Sequence, residues 1–243
     1  MLKRFLKIGS ILLLGAAGGL LFQIIILPYL FTNPYFERFQ FIKTLKEREV
    51  IVNPKEEIII RENLALELAV ERVQNSVIGI QVRTSAGRKL EGSGLILTSD
   101  GLAVTLDELA PSGSKFSFFV DKEKISGQIL KRDVKNNLAL IKIEKANLPT
   151  HGFANLERIK LGQRVFLLGV VFNTKNEPFK SVNEGIVKNF SEQSIQTNIV
   201  ENNIIKGSPL FDIEGNILGL SIIDREGQVS AIPADIIKTF SGF

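Results

Sequence analysis

Gln196-Thr197-Asn198-Ile199-Val200-Glu201-Asn202-Asn203-Ile204-Ile205-Lys206-Gly207-Ser208-Pro209-Leu210-Phe211-Asp212-Ile213-Glu214-Gly215-Asn216-Ile217-Leu218-Gly219-Leu220 is the stretch from which the fold is read. A β-rich run at 194–198 enters a loop that ends on Lys206-Gly207-Ser208, and β-rich runs at 209–212 and 217–223 follow. Short runs of β-branched and large apolar residues between turn residues are the signal of strands. The same texture extends outward. Runs at 77–84, 92–98, 102–106, 115–120, 124–131 and 138–143 form one group. Runs at 164–171, 181–190, 194–198, 209–212, 217–223 and 228–232 form a second. Ser99-Asp100-Gly101 is a tight turn between two members of the first group. Two groups of six fit two closed or nearly closed barrels, which protect strand edges; a sandwich fits the pattern nearly as well. Residues 234–240 read as a closing helix, and 63–75 as a helix with Leu64, Leu66, Ala69, Val70 and Val73 on one stripe. Ahead of it, Glu57-Ile58-Ile59-Ile60 reads as a short strand.

Composition narrows the function classes. A hydrophobic share of 44% is that of a folded chain with a real core. The net charge is +4, but Lys3, Arg4 and Lys7 supply three of those charges, so the rest carries no basic footprint for nucleic acid. There is no cysteine, which excludes disulfides and thiolate metal sites. His151 is the only histidine, so a multi-histidine zinc site cannot be built, and no metal or other cofactor is expected. His151 falls between the two strand groups and reads as a surface or linker residue.

The N-terminus has its own character. No charged residue occurs from Ile8 to Phe31, which is enough to cross a bilayer, where about 20 apolar residues suffice. Lys3, Arg4 and Lys7 precede the run, and the excess of positive charge there keeps that end in the cytoplasm. The expected layout is a cytoplasmic stub at 1–7, a transmembrane helix at 8–31 and a juxtamembrane stalk at 32–56. A main domain at 57–243 follows, with barrels at about 76–148 and 160–238. A cleaved signal peptide is the alternative, but the run exceeds a usual h-region and no A-x-A site closes it. In the stalk Phe36, Phe39, Ile42 and Leu45 recur at helical spacing, which fits an amphipathic helix as well as a plain linker. Asn53-Pro54 closes it as a turn signal.

Several segments, taken in order, resemble the HtrA/Deg family of trypsin-like serine proteases over roughly 64–243. Ala69-Val70-Glu71-Arg72-Val73-Gln74-Asn75-Ser76-Val77-Ile78-Gly79-Ile80 is similar to the family's lead-in helix and first strand. Gly92-Ser93-Gly94-Leu95-Ile96-Leu97-Thr98-Ser99-Asp100-Gly101 matches its G-S-G-F-I-I-x-x-D-G hairpin. Leu161-Gly162-Gln163, Gly169 and Gly185-Ile186-Val187 follow its middle course, and Ser230-Ala231-Ile232-Pro233 resembles its F-A-I-P. The 196–220 stretch resembles, without a gap, the segment that carries the nucleophile. The resemblance implies an all-β fold: a trypsin-like double β-barrel with short flanking helices and the N-terminal transmembrane helix. It implies a cleft between perpendicular barrels where the family's catalytic triad sits. The family's PDZ domain is not expected, because the chain stops about ten residues after Pro233.

The departures fall on the chemistry. The family's general-base histidine is matched by Glu108, in Val104-Thr105-Leu106-Asp107-Glu108-Leu109. Its orienting aspartate is matched by Asn137, in Asp133-Val134-Lys135-Asn136-Asn137-Leu138. Its nucleophilic serine is matched by Lys206. Hydrolysis needs a nucleophile whose proton passes to a positioned base near neutral pKa. Glutamate is too weak a base for this, and lysine is normally protonated. The oxyanion-hole region falls on Ile204, Ile205 and Lys206, and Ile204 stands where the family has a flexible glycine. Loss of a central triad member costs about 10⁶ in rate in subtilisin, which removes useful turnover.

The expectation is therefore a membrane-anchored extracytoplasmic pseudoprotease of the HtrA type, with its main domain outside the cytoplasmic membrane. It would bind peptides or proteins or regulate an active protease partner. The resemblance further implies homo- or hetero-oligomers with HtrA-type relatives. In the cleft, Glu108 and Lys206 are expected to form an ion pair, with Asn137 hydrogen-bonded to Glu108. The competing reading is an active serine endopeptidase of envelope protein quality control. Within it, Ser208 beside Lys206 is the alternative nucleophile, although residues i and i+2 of one extended segment do not set up a positioned base.

Overall fold

The computed structural model describes residues 2–26, 28–29 and 54–243. The chain divides into two compact units, 1–59 and 60–243. In the first, α1 (Leu2–Leu21) continues into a π-helical turn at Phe22–Ile26. Gly9–Ile26 is long and apolar enough to cross a membrane, and none of it is buried. At about 1.5 Å per residue it measures roughly 27 Å, close to a hydrocarbon core of about 30 Å. The expected stalk lies almost wholly outside the described residues.

Helix α2 (Pro54–Val73) runs on into the second unit and ends in a 3-10 turn, Gln74–Ser76. This corrects the short strand expected at Glu57–Ile60 and the helix start expected at Asn63. Pro54 stands at the first helical position, where its missing N–H costs nothing, with Glu56 and Glu57 in the first turns. Those signals outweigh the β-branched run that follows them.

The second unit holds thirteen strands in two sheets. The first set is β1 (Val77–Arg83), β2 (Lys89–Ile96), β3 (Leu102–Leu106), β4 (Lys115–Val120), β5 (Glu123–Ile125), β6 (Gly127–Asp133) and β7 (Leu138–Ile143). Their order is β5-β4-β1-β2-β3-β7-β6. The two ends of that order, β5 and β6, are joined in the chain by Ser126 alone, so the sheet has to curl and bring its two edge strands near one another without pairing them. The single strand expected at 124–131 is thus two strands on opposite edges. The second set is β8 (Arg164–Phe172), β9 (Pro178–Phe190), β10 (Ile195–Val200), β11 (Pro209–Asp212), β12 (Ile217–Ile223) and β13 (Gln228–Pro233). It closes fully as β10-β13-β12-β11-β8-β9. The expectation of a double barrel with short flanking helices is met, with the first barrel open and the second closed. Helix α3 (Ala234–Ser241) ends the chain's regular structure.

Each sheet encloses its own apolar cluster, with Ile78, Ile96, Phe118 and Ile141 in the first and Val165, Leu167, Ile195 and Leu210 in the second. A third cluster lies between the sheets. It joins Leu95, Leu106, Leu109 and Leu138 to Phe166, Phe211 and Leu220, and takes in Val73 of α2 and Ile237 of α3. Phe166 and Phe211 stack there at 5.4 Å. Fully burying each such side chain stabilises by about 1.5–3 kcal/mol. Polar bolts reinforce this seam. Val170 N–H of β8 donates to Ser93 Oγ of β2 at 2.8 Å, and Ser93 N–H donates to Lys206 O at 2.9 Å.

Candidate functional site

Two loops from different sheets meet at this seam. One is the 3-10 turn Asp107–Leu109 after β3, and the other is the segment 202–208 between β10 and β11. Leu109 is fully buried and plugs the contact. Gly207 allows the close approach: its φ is +74°, and a Cβ there would lie 2.5 Å from Ser93 O and 3.2 Å from Leu109 Cδ1. Gly207 N–H donates to Ser221 O at 3.0 Å, and Ser221 N–H donates to Ser208 O at 2.8 Å. The loop is therefore held from both barrels.

On the outer side of this contact, Lys206 Nζ donates to Glu108 Oε2 at 2.9 Å. The Lys206 side chain is 20% exposed and the Glu108 side chain 43%. Asn137 adopts a left-handed backbone, φ +53°, just before β7. Its Oδ1 accepts from Glu108 N–H at 3.1 Å, and its carbonyl accepts from Asp107 N–H at 3.1 Å. Three residues far apart in sequence thus lie within hydrogen-bond reach of one another around the turn after β3. Asn137 grips the backbone of the turn, because its αL conformation turns the amide back on the chain, and the Glu108 carboxylate is left to Lys206.

The neighbours sequence reasoning missed lie one residue away. Asp107 is buried and takes both bonds of the Arg132 guanidinium, at 2.5 and 3.0 Å. Arg132 also donates to Ser112 Oγ at 2.7 Å. The pairing with Asp107 raises the Arg132 pKa further above its ordinary value. Nothing in the spacing of residues 107 and 132 signals this pair. The strand edge beside Lys206 was also missed. Asp224 N–H donates to Gln228 O, which makes this a hydrogen-bonded pair of the β12–β13 hairpin. Partners alternate along an antiparallel ladder. Ser221 and Ile223 therefore turn their N–H and C=O away from β13. Ser221 meets Ser208 and Gly207 there, whereas the β11 pairing ends at Leu220, so no neighbouring strand pairs with Ile223 on that side, although the residue is only 7% exposed.

The remaining expected positions are placed as follows. Ile204 is half exposed and Ile205 is buried, both in the 3-10 turn Asn203–Ile205. Ile205 N–H points back to Asn202 O at 3.3 Å. Ser208 is fully buried, and its hydroxyl donates to Ile205 O. His151 lies in the connection between the sheets, as a linker residue, and is partly buried near Arg72 of α2. Burial pushes its imidazole below the usual range, helped by the Arg72 charge. Its Nε2 has no hydrogen-bond partner among the described residues. No group of three or more His, Cys, Asp or Glu able to hold a metal exists among the described residues.

Residues 92–220, which contain both loops and β8–β11, match the family model of the trypsin-like peptidase domain. The chain belongs to the trypsin-like peptidase family. Its relatives in that family are of the HtrA/DegP type. A "Probable periplasmic serine endoprotease DegP-like" of Halomonas elongata is 26% identical over 163 residues, covering 63% of this chain and 34% of that protein. A protein of the same description from Pseudomonas putida is 26% identical over 156 residues, covering 60% and 33%. "Serine protease HTRA4" of Mus musculus is 30% identical over 192 residues, covering 70% and 39%. The chain thus matches little more than a third of the length of these relatives. As a trypsin-like peptidase domain, it brings Glu108, Asn137 and Lys206 to one point between its sheets.

Proposed function

We propose that this chain is a membrane-anchored, extracytoplasmic pseudoprotease of the HtrA type that holds extended peptides without cutting them. The carrying observation is the 2.9 Å contact of Lys206 Nζ with Glu108 Oε2. An ammonium already bonded to a carboxylate has no lone pair to attack a carbonyl, and that carboxylate is no proton acceptor for a hydroxyl. Ser208, the remaining hydroxyl of the loop, is buried and donates to a backbone carbonyl, with no neutral base beside it. The Ile223 stretch of β12 supports peptide holding, because an extended chain can add to a strand on the side where no neighbouring strand pairs with it. The apolar span with Lys3, Arg4 and Lys7 ahead of it supports an N-terminus in the cytoplasm and the β-domain outside. The periplasmic description of the bacterial relatives supports the same side.

A casein-degradation assay on the full chain in non-ionic detergent tests the reading, alongside anisotropy of labelled casein peptides. Binding without cleavage is expected, with binding lost in Ile223→Pro, which removes the outward N–H. Cleavage that disappears in Lys206→Ala or Ser208→Ala would establish an active endopeptidase and end the proposal.

A further inference from the structure

A second concave surface is built from residues that the cleft does not use. It lies between the 3-10 turn Leu156–Arg158, the turn from β9 to β10, and the start of α3. Its volume is about 600 Å³, within the range that takes a ligand or a few side chains. Leu156, Ile159 and Ile195 form an apolar floor, and Phe190 beside them is 40% exposed. Glu157, Glu192 and Asp235 stand around it, and no lysine or arginine among the described residues lines it. Asp235 is paired with Lys238, whereas Glu157 and Glu192 have no ion-pair partner among the described residues.

We infer that this groove docks an amphipathic segment of a separate partner protein, carrying apolar side chains flanked by lysine or arginine. The floor removes an apolar side chain from water at about 25 cal/mol per Å². The two unpaired carboxylates select cations beside it and repel an acidic segment. The same charges argue against a second copy of this chain, since a symmetric contact would bring the acidic rims of both copies together. The inference does not rest on the cleft, and its test separates the two.

The probe is a fluorescein-labelled octapeptide of alternating leucine and lysine, titrated against the full chain in non-ionic detergent, with a leucine–glutamate octapeptide as its counterpart. The leucine–lysine probe binds and weakens as salt rises; the acidic one does not bind. Phe190→Ala and the double change Glu157→Lys with Glu192→Lys each weaken binding at least fivefold, with unchanged circular dichroism. Ile223→Pro leaves it unchanged. Equal binding of both probes, or groove variants that bind like the wild type, would overturn the inference. So would loss of binding in Ile223→Pro, which would put the probe in the cleft. A concentration-dependent dimer in sedimentation that Phe190→Ala abolishes would assign the groove to a second copy, and would equally overturn it.

Discussion

The segment 202–208 has two sides, and they differ in what they tolerate. Toward the seam it is held by Ser93 N–H on Lys206 O, by Gly207 N–H on Ser221 O and by Leu109 packed against Gly207. These contacts are backbone bonds, a glycine and an apolar plug, with no part in proton transfer. Toward solvent, the same loop presents Ile204 and the Lys206–Glu108 pair. The seam side fixes where the loop sits, and the outer side decides what it can do. Chemistry can therefore be removed from the outer side while the frame stays in place. The frame depends on backbone and small residues, whereas the reaction depends on particular side-chain functional groups.

The first way to break this contrast is Gly207→Ala. The residue is held at φ +74° with Ser93 O 2.5 Å from the new Cβ. A left-handed alanine costs about 1–2 kcal/mol, and overpacking adds about 1–3. A loss of about 4 kcal/mol in urea unfolding is expected. Gly87 is the control: its φ is +80° with nothing within 4 Å of its Cβ. Gly87→Ala should lose only about 1 kcal/mol, from the backbone alone. Equal losses at the two glycines would mean that the seam is not the rigid side.

How far the sequence carried this contrast depends on range. The short apolar runs of β3, β7 and β12 and the turn at Ser99-Asp100-Gly101 were legible, because strand and turn signals are local. The Glu57–Ile60 helix was not, because three successive isoleucines carry a strand signal that Pro54 overrides only once its helical position is known. Glu108, Asn137 and Lys206 could be brought together from a resemblance, since each sits in a segment anchored by its own motif. The backbone grip of Asn137 was hidden, because it depends on a left-handed φ that asparagine adopts without a sequence mark. The Arg132–Asp107 pair and the groove around Phe190 were hidden for a simpler reason. They join segments that no spacing rule connects.

A second test compares two lysines of similar exposure. Lys180 and Lys206 are 22% and 20% exposed. Lys206 has a carboxylate at 2.9 Å, whereas Lys180 donates to Gln74 O and Val77 O, with Asp121 no nearer than 4.0 Å. Burial pulls the Lys180 pKa down to about 8 from 10.5. Below pH 8 both folded and unfolded chains hold the proton, and the burial cost is present in full. Between about 8 and 10.5 only the unfolded chain holds it, so stability rises with pH through that window. The gain is at most about 3 kcal/mol, from about 1.36 kcal/mol per pKa unit. Lys180→Met should flatten this part of the stability curve relative to the wild type. A variant curve parallel to the wild type would remove the distinction between a cation bound mainly by carbonyls and one bound directly by a carboxylate.

The smallest effect belongs to the outer side itself. A double-mutant cycle with Glu108→Gln and Lys206→Met isolates their coupling. Glu108 is more than two-fifths exposed, so solvent screens the pair. Ion pairs in that setting couple by about 0.2–1 kcal/mol. A coupling near the top of that range is expected at low salt, falling as salt is raised. The global stability of each single variant should change by less than that of Gly207→Ala, because neither side chain supports the seam. Coupling indistinguishable from zero would mean that the two charges share the cleft without being bound to one another. Lys206 would then be available to ligands, and its pairing with Glu108 would no longer keep it out of the chemistry. A coupling well above 1 kcal/mol would point the other way, to a pair that helps lock the loops together, and the line between frame and outer side would have to be redrawn through Lys206.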